Sequence, residues 1–262
     1  MLFLGDDLEA SLDGHVVTIT LARPPVNAFR TQTWCELGEA LAECAGLRAS
    51  KVLVLRSGLD GIFSAGADVK ELPMTPAEDE RRQWITRTVL SAVAEHPVPV
   101  VAAVGGMALG GACALVSQAD IRLGSRRARF AMPEIDVGRC GGSRHLRQHL
   151  DSGTVRWMAF TGKQLDAEQA ASRGLLTWVV DDLDGETEEL AACIAGKSPT
   201  ALRMTKQSIG LSESLEVAAG YAVEQQFSLR LAQTPDAAEA AAAVAGKRPP
   251  RWQLPDQSGG SK

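Results

Sequence analysis

Two short glycine-containing segments, Phe63-Ser-Ala-Gly-Ala-Asp68 and Met107-Ala-Leu-Gly-Gly-Ala-Cys-Ala114, hold the residues best suited to chemistry. Each follows a short apolar run, and each is built of side chains small enough for backbone N–H groups to approach a ligand. Two amide donors converging on one oxygen stabilise an enolate or another oxyanion without a metal. Glycines in such places also permit tight strand-to-helix turns and nothing more. Both readings fit the spacing. A nucleotide loop does not, because neither G-x-G-x-x-G nor G-x-x-x-x-G-K-[ST] is present.

Among side chains, Glu134 in Met132-Pro-Glu-Ile-Asp-Val-Gly138 is the best acid/base candidate. It follows a proline in a largely apolar stretch, where burial would raise its pKa toward working pH. Asp136, two residues on, belongs either to the same site or to the surface. Nucleophiles are weakly indicated: no G-x-S-x-G elbow occurs, Ser143 is near His145 only in sequence, and Cys113 reads as a small core residue. His145 and His149 have metal-ligand spacing on an expected helix but no third ligand nearby, so no metal site is expected.

These residues need a frame. Val16–Leu21 is β-branched and follows an Asp13-Gly14 turn, and Arg23-Pro-Pro-Val-Asn27 ends it. Thr31 offers an N-cap for a helix to about Leu47, with Trp34, Leu37, Leu41 and Ala45 on one face. Lys51–Arg56 and Pro99–Val104 are continuous apolar runs typical of buried parallel strands, with a helix at 79–95 between them. A helix follows Gly111, Asp120–Leu123 resumes strand character, 142–173 reads as helical and Leu176–Val180 as a late strand. Helices are expected over 186–196, 199–210, 214–233 and 235–245, with a fraying tail from Lys247. Alternating strands and helices imply an α/β core with right-handed crossovers. Ligands then bind beyond the carboxyl ends of the strands, where helix N-termini present free N–H groups.

The 262 residues suffice for one large core, with 45% apolar and 23% charged residues and a net charge of −5. Basic residues are scattered, and the one local group, Arg122, Arg126, Arg127 and Arg129, reads as a solvated turn, so no nucleic-acid partner is expected. Five widely spaced cysteines without a C-x-x-C pair argue for a reducing compartment. The acidic N-terminus lacks a signal-peptide layout, and no run reaches the ~18 apolar residues of a membrane span. A cytoplasmic protein is expected.

In order, the chain resembles the crotonase superfamily of enoyl-CoA hydratases and isomerases. The resemblance is carried by Arg23-Pro-Pro-Val-Asn27-Ala28, Phe63-Ser-Ala-Gly-Ala-Asp-Val-Lys70, Pro97-Val-Pro-Val-Val-Ala-Ala-Val-Gly-Gly106 and Ala108-Leu-Gly-Gly-Ala-Cys113. Pro133-Glu134, Gly141-Gly142, Phe160-Thr-Gly162 and Lys197-Ser-Pro199 continue it to about Arg251. It implies a core of repeated ββα units over 1–195, a helical trimerisation region over 196–250 and a flexible tail over 251–262. It also implies a homotrimer or dimer of trimers acting on an acyl-CoA thioester in fatty-acid-type metabolism, with coenzyme A as part of the substrate and no separate cofactor. The oxyanion hole falls on the amides of Ala67 and Gly111, the acid/base role on Glu134, and coenzyme A contacts on Ala65, Asp68, Val69 and Lys70. Ala114, Asp136, Cys140, Gly142 and Trp84 are possible pocket residues, and the 71–90 segment (Pro73, Met74, Ile85) a possible wall.

Two departures bear on the reaction. Ala114 stands where hydratases carry their other glutamate, and the loop Gly138-Arg-Cys-Gly-Gly142 is short. One remaining carboxylate suits double-bond isomerisation better than addition of water. A hydratase, a decarboxylase, a β-diketone hydrolase and an idle acyl-CoA-binding protein are the alternatives.

Overall fold

The computed structural model describes residues 1–252. Strands β1 (Phe3–Leu4), β2 (Leu8–Asp13) and β3 (Val16–Leu21) form an antiparallel meander, with Gly14 at φ 55° turning the β2–β3 hairpin. Helix α1 (Thr31–Gly46) follows. Arg30, not Thr31, occupies the N-cap, and the Glu71 carboxylate accepts the Thr31 N–H at 3.0 Å.

The next three strand pairs repeat one plan. β4 (Val52–Ser57) leads to β5 (Ile62–Ser64) and α2 (Pro76–Ala94), then β6 (Val100–Val104) to β7 (Met107–Leu109) and α3 (Gly111–Ser117). β8 (Ile121–Ser125) leads in turn to β9 (Arg129–Ala131). The first strand of each pair joins a seven-stranded sheet in the order β1-β2-β3-β4-β6-β8-β11, where β11 is Trp178–Val180. The second joins a smaller sheet in the order β10-β9-β7-β5, where β10 is Leu165–Asp166. This is the repeated ββα core that the resemblance implies.

In the centre of the large sheet, residues 52–55 of β4 and Val100–Val104 of β6 are apolar without a break because both faces are covered. Leu53, Leu55, Val100, Ala102 and Val104 enter the main core. Val52, Val54, Val101 and Leu123 pack with Ala191 and Ile194 of α7 (Leu183–Ala195) on the other side. Where the β4–β5 and β6–β7 turns meet, a Cβ at Gly106 would overlap the Gly61 carbonyl, so only glycine allows the approach.

The small-sheet strands do not stand out in the sequence, being two or three residues long. The expected helical stretch 142–173 is three helices, α4 (Ser143–Leu146), α5 (Ser152–Thr161) and α6 (Ala167–Ser172). Asp151 accepts from the Gly153 and Thr154 N–H groups and starts a new helix, left-handed Gly162 ends it, and Asp166 and Gln169 form a capping box for the next. α8 (Pro199–Ser212), α9 (Val217–Leu231) and α10 (Pro235–Ala245) follow close to their expected bounds.

α8 is tied beneath the core. Lys206 Nζ donates to Asp120 Oδ2 at 2.7 Å and to the Val98 carbonyl at 3.2 Å, and Arg203 donates to the Leu47 and Ser50 carbonyls. Contrary to the expected fraying from Lys247, Arg248 pairs with Glu239 at 2.6 Å and Trp252 Nε1 donates to the Gly196 carbonyl at 2.7 Å. The rest of the expected flexible tail, 253–262, lies outside the described residues.

Candidate active site

The two glycine segments meet because β5 and β7 are parallel neighbours, with Ile62 opposite Met107 and Ser64 opposite Ala108. Sequence reading attached the segments to the long strands 51–56 and 99–104, but the short second-sheet strands are what bring them together. At their carboxyl ends the backbones nearly touch. A Cβ on Gly66 (φ 79°) would lie 2.5 Å from the Leu109 carbonyl oxygen.

Ala67 bridges Phe29: the Phe29 N–H donates to the Gly66 carbonyl at 2.6 Å and the Asp68 N–H to the Phe29 carbonyl at 3.0 Å. That parallel pairing turns the N–H of Ala67 itself away from Phe29. Gly111 is the first residue of α3, so its N–H has no acceptor within the helix. Both residues line one 690 Å³ cavity, and the Trp34 ring packs against Gly111.

A dense brace holds the Ala65–Lys70 segment. Asn27 Nδ2 donates to Ser57 Oγ at 2.8 Å and to the Phe63 carbonyl at 3.0 Å, and Ser64 Oγ donates to the Asn27 carbonyl at 2.6 Å. Arg23 pairs with Asp68 at 2.9 Å. Asp68 also accepts the Lys70 N–H at 3.0 Å. Burial alone would push the Asp68 pKa up, but the Lys70 N–H and the Arg23 guanidinium together hold it below the usual aspartate value. Thus Arg23-Pro-Pro-Val-Asn27 does more than end a strand.

Glu134 lies on a single 3₁₀ turn, Pro133–Val137, closed by left-handed Gly138. Its carboxylate rests against the Cα of Gly110, where a Cβ would come within 2.5 Å of Oε1. Oε2 is buried without a hydrogen-bond partner. Burial raises its pKa above the usual glutamate value, partly offset by its own backbone N–H. Cys113 is fully buried, and burial plus the nearby Glu134 charge push its thiol far up, which disqualifies it as a nucleophile.

Ala65, Ala67, Val69, Trp84, Gly111, Ala114, Glu134, Asp136, Cys140 and Gly142 all line the cavity. Ala114 is 1% exposed, and its methyl sits 3.3 Å from where Gly142 would carry a Cβ. Asp68 and Lys70 are not in the wall: the first is spent on the brace, the second is exposed at the turn. Of the expected 71–90 wall, Ile85 is buried in the core, and Leu72 rather than Pro73 or Met74 faces the cavity.

His145 and His149 do not share a helix, since α4 ends at Leu146. His149 Nε2 contacts the Ser117 carbonyl at 2.7 Å away from the cavity, while His145 lines it. Among the described residues no cluster of three potential metal ligands occurs. The arginine group is consumed by the protein itself: Arg122 serves the Ala119 and Leu175 carbonyls, Arg126 meets Asp181 and Glu168, and Arg127 meets Asp60. Sequence reasoning missed Trp34, Arg139 and His145 as cavity residues. Trp34 carried only a helical-core signal, and the other two lie near Gly-rich turns whose direction no periodicity gives.

The family model for enoyl-CoA hydratase/isomerase matches residues 12–255. The chain belongs to that family. A "(7aS)-7a-methyl-1,5-dioxo-2,3,5,6,7,7a-hexahydro-1H-indene-carboxyl-CoA hydrolase" of Rhodococcus jostii (strain RHA1) is 32% identical over 231 residues, covering 86% of this chain and 88% of the relative. A short-chain-enoyl-CoA hydratase of Clostridium acetobutylicum is 29% identical over 243 residues, covering 90% and 93%. The crystal structure of an enoyl-CoA hydratase from Mycobacterium smegmatis superposes with a TM-score of 0.90 at 29% identity, over 95% of this chain and 99% of that one. This family member is therefore an acyl-CoA enzyme built on the crotonase fold.

Proposed function

We propose that the enzyme forms a thioester enolate, with the amides of Ala67 and Gly111 holding the oxyanion and Glu134 moving the proton. The observation that carries this is the buried, partnerless Oε2 of Glu134 beside two converging backbone segments, in a wall where position 114 is apolar. In isomerisation of a 3-enoyl-CoA, the Glu134 carboxylate takes the Cα proton. The C–H electron pair moves onto the thioester oxygen, where two fixed N–H donors stabilise it. The dienolate collapses as the Glu134 carboxyl returns the proton to Cγ, leaving the double bond conjugated with the thioester. One carboxyl group serves both half-reactions, so Ala114 is no obstacle. Addition of water would need a second group to activate it, and none stands at position 114.

A second reading is hydrolytic carbon–carbon cleavage of a β-dicarbonyl acyl-CoA; the Rhodococcus jostii relative and a Mycobacterium tuberculosis relative, 32% identical over 222 residues, are both named as hydrolases of a dioxo-indene-carboxyl-CoA. Water attacks the distal carbonyl, giving up a proton to Glu134. The bond between that carbon and Cα breaks toward the thioester, and the resulting enolate takes the proton back at Cα. The oxyanion hole and the shuttle are the same.

Coenzyme A enters as part of the substrate, past Ala65 and Val69. The exposed apolar side chains Ile209, Leu211, Leu215, Val217 and Tyr221 on and between α8 and α9 support assembly into a trimer or a dimer of trimers. Incubation with 3-hexenoyl-CoA, followed by product mass and ultraviolet absorbance, tests the leading reading. Conversion to 2-hexenoyl-CoA without mass gain is expected. A product heavier by one water, or no conversion, refutes it.

A further inference from the structure

We propose that Arg139 is a specificity-determining residue that receives a second oxygen function on the acyl group, a carboxylate or a ketone. This rests on the acyl-CoA reading above and names its substrate class. Left-handed Gly138 turns the chain so that Arg139 spans from the Glu134 loop to the first turns of α2, where its Nη1 meets Asp79 Oδ2. Arg139 also lines the cavity, beside Cys140 and Asp136.

The pair leaves most of the guanidinium's donors free for an acceptor. Asp79 Oδ1 is buried without a partner, and a guanidinium has five N–H donors, of which Asp79 engages one. The same stretch of wall is polar elsewhere: α2 adds Glu80, Arg82 and Arg87. The rest of the lining, with Ala65, Ala67, Val69, Leu72, Trp84 and Ala114, is mainly apolar, as in ligand cavities generally, so the polar groups are concentrated in this stretch. An alkyl chain here strips water from Arg139 and returns no hydrogen bond, which is costly. An oxygen acceptor on the acyl group fills the idle donors, and a carboxylate does so with charge assistance. The acyl group is thus held by its oxygen at one end, while Ala67 and Gly111 hold its thioester at the other.

Calorimetric binding of three six-carbon thioesters, hexanoyl-CoA, 5-oxohexanoyl-CoA and adipyl-CoA, tests the assignment. The wild-type enzyme is expected to bind the two oxygenated ligands about tenfold more tightly than hexanoyl-CoA. Arg139→Met should bring all three to within about twofold of one another, and Arg139→Lys should keep part of the adipyl preference. Asp79→Asn, which leaves the guanidinium in place and releases it, should widen the preference. Equal wild-type affinities, or a preference that survives Arg139→Met, overturn the role of Arg139 and leave the acyl-CoA reading standing. Failure of all three to bind overturns both.

Discussion

Gly66→Ala tests whether the two glycine segments work as one site. The added Cβ would sit 2.5 Å from the Leu109 carbonyl oxygen, whereas ordinary contact begins at 3.4 Å, so the segments must part by 0.9 Å (3.4 − 2.5) to admit it. The neighbour is backbone, so no side-chain rotation relieves the clash. The positive φ of 79° adds a cost of about 1 kcal/mol for any residue with a Cβ. Ala67 follows directly and Gly111 lies two residues beyond Leu109, so the shift falls on the distance between the two donors. A misplacement of about 1 Å costs on the order of 100-fold in rate. Losing one oxyanion donor costs about 3 kcal/mol, the same range. Turnover of 3-hexenoyl-CoA and urea unfolding should be measured on the same preparation. The expected result is a kcat lower by about 100-fold in a folded protein destabilised by about 1–3 kcal/mol. A kcat within about threefold of wild type, with that destabilisation present, would refute the two-amide site.

Other outcomes follow from the buried charges. Burial favours the neutral form of Glu134, so its basic carboxylate is lost, as pH falls, above the ordinary glutamate pKa of 4.5; the acid limb of kcat/KM should lie above that value, and a limb at or below it contradicts the role. His96, 3% exposed, is lowered from 6.5 to about 4 by burial, offset by its contact with Val98 and reinforced by the Lys206 and Arg203 charges. The unfolded chain then binds a proton between these values that the folded one refuses, so wild type should lose about 3 kcal/mol more than His96→Gln as pH falls from 6.5 to 4. Parallel urea titrations check it, and parallel losses would be the contrary result. Asp68→Ala leaves Arg23 with Asp7 at 3.4 Å as its remaining carboxylate and should cost about 2 kcal/mol in urea unfolding, with a fall in kcat as the Ala65–Lys70 segment loosens; unchanged stability would show that the brace carries no load.

The centre of the large sheet and the C-terminal helices were legible because their signals are long, whereas β1 and β2 at its edge were not singled out. Val52-Leu-Val-Leu55 and Val100-Val-Ala-Ala-Val104 are buried on both faces and read as continuous apolar runs, and Ser198-Pro199 and Thr234-Pro235 announce helix starts. The small sheet was not legible from periodicity, since β5, β7 and β9 are three residues each and β10 is two. Its repeat was recoverable only through resemblance. Of the cavity residues, Glu134 stood out as a carboxylate in an apolar stretch, and small residues marked the two glycine segments, within which only the resemblance singled out Ala67 and Gly111. Arg139 did not, because its position depends on the left-handed turn at Gly138 and on the partner it finds on α2. The bracing role of Arg23 and Asn27 was hidden for a similar reason: their partners, Asp68, Ser57 and Phe63, are remote in sequence.

The central claim is that Glu134 removes a Cα proton while two backbone amides hold the enolate. Butyryl-CoA in D₂O isolates that step, because it has no double bond to move and no bond to hydrolyse except the thioester. Wild-type enzyme should introduce deuterium at Cα without consuming the thioester, and Glu134→Gln should slow the exchange by about 100- to 10,000-fold. Exchange at the wild-type rate in Glu134→Gln would contradict the account.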